Sequence, residues 1–185
     1  MHSRGILHRD IKTLNIFLTK ENQIRIGDLG VAKILQSADN FVRSKVGTPY
    51  YLSPEVCEDR PYNSKSDIWA LGCVLYEMCA LKHPFYAATQ AELLLKIIKG
   101  RYESLPKGYS KELSEMVHSC LMKDHARRPT IEDIILHPCK ICLLIRFRLP
   151  SQGLPIKDQI AFETHRRIWL LIGSEALIAE ESLSW

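Results

Sequence analysis

The sequence predicts a mainly α-helical α+β body carrying one small β-hairpin near its N-terminal edge. Three observations carry that expectation. Four segments place apolar residues at helical spacing next to capping residues, two short apolar runs flank a turn-like Lys20-Glu21-Asn22, and residues 29–62 hold no period at all. A loop of that length inside a compact chain is usually functional.

Taken in order, residues 16–18 and 24–26 form the hairpin, with Gln23, Arg25 and Gly27 alternating against Ile24 and Ile26. The first helix opens where Ser64 and Asp67 fit a capping box and continues through Ile68, Leu71, Leu75 and Met78. Trp69, Val74 and Cys79 fall off that stripe, so burial on most sides is expected. A second helix runs near Gln90 to Lys99 and stops at Gly100. A third begins behind Ser110 and carries Leu113, Met116, Val117, Cys120 and Leu121. The fourth starts at the Thr130-x-x-Asp133 cap and ends at His137-Pro138. Beyond Pro138 the texture changes to apolar runs broken by Pro150, Gly153 and Pro155.

The 185 residues are 46% hydrophobic and 25% charged, with 25 Lys and Arg against 21 Asp and Glu, the composition of an ordinary globular protein. No apolar run approaches the ~20 residues of a membrane span, and no basic start with an apolar follow-on suggests a secretory signal. Six cysteines are too sparse for a disulfide scaffold, so free thiols and a reducing compartment are expected. Cys73 and Cys79 fit as small core residues; Cys139-x-x-Cys142 has no second ligand pair and is a weak zinc signal. Without a basic run, neither nucleic acid nor membrane is expected as a partner.

Chemistry concentrates in three motifs. His8-Arg9-Asp10-Ile11-Lys12-Thr13-Leu14-Asn15 precedes the hairpin, Asp28-Leu29-Gly30 follows it, and Ser53-Pro54-Glu55 ends the long loop. In this order they resemble the signature set of protein kinases. The resemblance implies that Asp10 orients a substrate hydroxyl and takes its proton, that Lys12 neutralises the moving γ-phosphate of ATP, and that Asn15 and Asp28 hold Mg²⁺ through hard oxygens. Lys12 marks the serine/threonine branch, and protein hydroxyls are the implied substrate. Arg9 is expected to meet a phosphorylated loop residue, with Ser44 the leading candidate and Ser37 a weaker one; a solvated loop serine is the alternative for Ser44. Thr48 resembles the residue that contacts the catalytic Asp. His8 belongs to the structural part of the motif.

The likeness runs to Pro138. Asp67 looks like the buried acid that braces the catalytic loop, although capping its own helix is the plainer role. Arg128 is expected to pair with Glu55. The wording of residues 47–55, 64–69 and 71–78 is most similar to the NIMA-related (Nek) kinases, a group in which Leu29 also occurs in place of Phe as an apolar plug; the resemblance implies a cytoplasmic protein, with cytoskeleton or nucleus as alternatives. Phe17 could lie beneath adenine or be a plain hairpin core residue.

No Gly-x-Gly occurs anywhere in the chain, and no Val-Ala-Ile-Lys-type lysine precedes Asp10. The expectation is therefore a kinase C-terminal lobe over residues 1–138, with the N-terminal lobe missing and an unrelated tail over 139–185. Such a lobe would leave one face of the Asp67 helix uncovered, with the tail as one candidate cover. Two functions stay open: a serine/threonine protein kinase using ATP and Mg²⁺, or a catalytically inactive lobe acting as a docking module.

Overall fold

The computed structural model describes residues 1–20, 24–34 and 49–137. Ser37, Ser44, Thr48, most of the hairpin turn, Cys139, Cys142 and the tail lie outside them. Two two-stranded antiparallel ladders come first: β1 (Ile6–Leu7), β2 (Ile16–Leu18), β3 (Ile24–Ile26) and β4 (Lys33–Ile34), ordered β1–β4 and β2–β3. Five helices follow, α1 (Pro54–Cys57), α2 (Ser64–Ala80), α3 (Gln90–Lys99), α4 (Lys111–Cys120) and α5 (Ile131–Leu136).

The expected hairpin is β2–β3, in the register Ile16 to Ile26 and Phe17 to Arg25. The β1–β4 ladder was not expected, because a two-residue strand is too short to display a period. Register then does the positioning. Pairing Ile16 with Ile26 sets Asn15 beside Gly27, and pairing Leu7 with Lys33 brings the chain after β1 against the segment before β4. The hairpin alternation marks no buried face, however: Ile24, Arg25 and Ile26 are all exposed.

α2 is the hub. Its N-cap is Asn63, whose side chain accepts from the Lys65 N–H at 3.0 Å, rather than the Ser64–Asp67 box expected from sequence. Asp67 is turned inward instead. Ile68, Trp69, Cys73, Val74, Leu75, Tyr76 and Cys79 are all buried, and only Leu71 and Met78 of the expected stripe are half-buried. The uncovered apolar face expected on this helix is therefore absent among the described residues. Exposed apolar side chains gather around the ladders instead, at Leu14, Phe17, Ile24, Ile26, Leu29 and Ile34.

The remaining caps follow local chemistry. Thr89 opens α3 and Gly100, at φ 66°, closes it; Ser110 caps α4; Thr130 and Asp133 form a reciprocal box on α5. Trp69 stacks on Phe85, which meets Tyr102 edge-on. Cys73, Cys79 and Cys120 are buried free thiols, and burial pushes Cys73 up and Cys120 up to about 12, leaving both inert.

Helix α4 packs so closely on α2 that a Cβ at Gly72 would lie 2.7 Å from the Cys120 Cβ and 3.0 Å from Leu121 Cδ2. Gly72→Ala should therefore force the two helices apart and cost about 1–3 kcal/mol, read as a lower urea midpoint at unchanged slope.

Candidate active site

Asp67, on the first turn of α2, anchors the loop after β1. Its Oδ2 accepts the His8 N–H at 2.9 Å and lies 2.8 Å from His2 Nε2, while Oδ1 accepts the Arg9 N–H at 2.9 Å. Of the two roles left open by sequence, the structure shows the brace. Arg9 needs it, since its φ of 69° is a left-handed conformation that a non-glycine residue adopts at a cost of about 1–2 kcal/mol.

His8 is buried and ties two loops together. Its Nε2 is 3.0 Å from the Gly27 carbonyl, which can only accept, so Nε2 carries the proton. Nδ1 is then an acceptor, 3.3 Å from the Asp10 N–H.

Around Asp10 two donors converge. Asn15 Nδ2 donates to the Asp10 carbonyl at 2.9 Å and to Asp10 Oδ2 at 3.0 Å, and Lys12 Nζ lies 2.8 Å from that same Oδ2. Both Asn15 contacts are acceptors, which fixes its amide with the nitrogen toward Asp10. The Asn15 oxygen is the atom left to meet a cation.

Asp28 sits across the hairpin, exposed, at φ 56°, with Oδ1 accepting the Gly30 N–H at 3.2 Å. Gly27 holds it in place: the Gly27 N–H donates to the Asn15 carbonyl at 2.9 Å while its own carbonyl serves His8. A Cβ there would lie 2.6 Å from the Phe17 ring. Sequence reading passed over Gly27 as a site residue, although a glycine abutting the acidic triplet was a legible signal. Phe17 is half exposed, which removes the reading as a plain core residue. Leu29 is exposed too.

Asn15 and Asp28 are hard oxygen donors suited to Mg²⁺, an ion that takes one or two carboxylates and completes its shell with water and phosphate. No group of three His, Cys, Asp or Glu capable of holding a metal occurs among the described residues.

Arg9 Nε donates to the Val31 carbonyl at 2.5 Å. Its expected partner Ser44, like Thr48, is outside the described residues. Farther from the loop, Glu55 and Arg128 are both buried and joined at 2.7 and 2.8 Å through two parallel bonds. Burial alone would raise the Glu55 carboxyl; the Arg128 bonds and charge, with the Ser66 hydroxyl, outweigh it and hold the group down at about 2.

One link was missed entirely. The Tyr51 hydroxyl donates to Glu77 Oε2 at 2.6 Å and receives the Thr13 hydroxyl at 2.9 Å. Burial, reinforced by the Glu77 charge, raises Tyr51 well above the usual phenol range, so it stays a donor. This bridge joins the Asp10 loop to the end of the long loop and to α2. Nothing local in sequence marks it.

Two loops are held side by side, one presenting Asp10 and the other Asp28, and residues 1–139 match the protein kinase domain. The chain belongs to the protein kinase family. The relatives it matches include serine/threonine kinases of the NIMA-related group, in line with the wording of residues 47–55, 64–69 and 71–78. It is 50% identical over 135 residues to mouse serine/threonine-protein kinase Nek1, 46% over 138 residues to mouse Nek4 and 42% over 173 residues to mouse Nek3. These matches cover 73%, 75% and 91% of this chain but only 11%, 17% and 34% of the relatives. The chain thus spans a tenth to a third of their length.

Proposed function

We propose that residues 1–138 form the C-terminal, substrate-binding lobe of a Nek-type serine/threonine kinase. The reaction is transfer of the ATP γ-phosphate to a Ser or Thr hydroxyl of a protein. The observation that supports it best is the convergence of Asn15 Nδ2 and Lys12 Nζ on Asp10 Oδ2, with Asp28 tethered through Gly27 to the Asn15 carbonyl.

Phosphoryl transfer runs through a loose transition state, so positioning and charge neutralisation dominate. With both donors on Oδ2, Asp10 is left to orient the acceptor hydroxyl through Oδ1 and to receive its proton as the oxygen–phosphorus bond forms. The Lys12 ammonium lies next to that carboxylate, where it would offset charge on the transferring group. Asn15 Oδ1 and Asp28 would hold Mg²⁺, which when bound neutralises phosphate charge. A phosphate on Ser44 would compete with the Val31 carbonyl for Arg9.

The second reading is a docking lobe without activity of its own. Complementation separates the two. Phosphate transfer from radiolabelled Mg·ATP is measured on the chain alone and on the chain fused behind the part of the mouse Nek1 kinase domain that precedes the matched segment. We expect turnover only in the fusion, reduced about 10²–10⁴-fold by Asp10→Asn. No turnover in the fusion, or turnover indifferent to Asp10→Asn, would leave the docking reading standing.

A further inference from the structure

On the side of the molecule formed by α3, the loop after it and the loop after α4, we infer a docking surface for a carboxylate-rich segment of a partner protein. This does not rest on the kinase reading. Two open grooves carry it. The first, of about 760 Å³, lies between Tyr76, Phe85, Tyr86 and Tyr102; the second, of about 510 Å³, lies over Leu121 and Met122. They share a wall: Arg101 of the first follows Gly100 of the second, and the Tyr102 hydroxyl is 3.1 Å from His118 Nδ1 across it.

Their charge is one-sided. Lys82 is neutralised by Glu103 and Arg60 by Glu58. Lys96, Arg101, Lys123 and Arg127 have no carboxylate partner among the described residues, and all four are exposed. The Lys96 ammonium donates to the Tyr86 carbonyl at 2.6 Å, which steadies it without cancelling its charge. Against these four stands Asp124, whose Oδ1 already accepts the Ala126 N–H. Four uncompensated cations on one face attract anions over a Debye length, about 10 Å at 0.1 M salt.

The groove walls select the kind of anion. Exposed Tyr86, with half-buried Tyr102 beside it, offers the aromatic contact typical of protein interfaces, and arginine forks match carboxylates bidentately. The cations line two concavities on either side of the Tyr102–His118 contact, an arrangement that suits a flexible peptide with side chains to place in both.

The test uses the whole chain and a fluorescein-labelled peptide of about ten residues, mostly glutamate with two leucines, read by anisotropy at low salt. Arg101→Glu/Arg127→Glu should weaken binding about tenfold or more, while Lys33→Glu/Lys111→Glu, with the same charge change elsewhere, should stay within about twofold. Thermal melts check folding; if the reversal variant melts early, Arg101→Gln/Arg127→Gln is read instead, with a smaller loss in the same order. Absence of binding, equal losses in both variants, an unaffected reversal variant, or displacement of the peptide by duplex DNA at lower concentration would each overturn the proposal, the last in favour of nucleic acid.

Discussion

Replacing Arg128 by alanine is expected to destabilise the fold by about 3–5 kcal/mol, because it strands a buried carboxylate. Arg128 uses all five of its N–H groups: two on Glu55, and one each on the carbonyls of Met122, Lys65 and Lys123. Its guanidinium also lies 4.9 Å from the Trp69 ring centroid. Lysine has three donors and no planar fork, so Arg128→Lys should fail as a substitute. The double change Glu55→Leu/Arg128→Met should recover only part of the loss. It removes the stranded charge but also the donor to the carbonyls of Met122, Lys65 and Lys123.

The same pair sets an acid dependence with a definite sign. The folded Glu55 carboxyl sits at about 2 against an ordinary 4.5, so it contributes stability that is fully present above pH 4.5 and fades as pH falls toward 2. The displacement corresponds to roughly 3 kcal/mol at about 1.36 kcal/mol per pH unit. In Arg128→Ala, burial pushes Glu55 upward instead, and protonation then relieves the buried charge. The gap between the two proteins should therefore narrow from pH 7 to pH 3 in urea titrations. A gap that stays constant would show that Glu55 is not the group responsible.

Asp67→Asn is the second large effect. The carboxylate accepts from two backbone N–H groups and pairs with His2, and an amide turns one acceptor into a donor facing those donors. A loss of about 2–4 kcal/mol is expected from the weakened charge-assisted bonds and a buried N–H left unsatisfied. The damage should be local as well. Hydrogen exchange at the His8 and Arg9 amides should quicken by about tenfold or more beyond what the global stability change accounts for, as Arg9 leaves its left-handed conformation. Unchanged relative protection at those amides would rule out the brace.

Legibility followed sequence distance. The ends of α3 and α4 and the box on α5 were readable because Gly100, Ser110, Thr130 and Asp133 act on backbone groups within a few residues. The start of α2 was misread because Ser64 and Asp67 imitate a cap, while Asn63 does the capping and Asp67 reaches back to residues 2, 8 and 9. Asp10 and Asn15 were legible as a five-residue spacing within one loop. The Thr13–Tyr51–Glu77 bridge was not, because its members are separated by 38 and 26 positions and each alone is an ordinary polar residue.

The mainly helical class, the hairpin and most caps belong to the sequence alone, since they depend on local periodicity and turn chemistry, and the candidate charged site residues came from motifs that resemble a family's. Which atoms those residues offer belongs to the tertiary structure. Ladder register brings Gly27 against Asn15, and α2 supplies the carboxylate that holds the loop before Asp10. The grouping of Lys96, Arg101, Lys123 and Arg127 on one face was equally invisible in a chain with no basic run. Charge is additive along a sequence, but potential depends on distance in space, and only folding sets that distance.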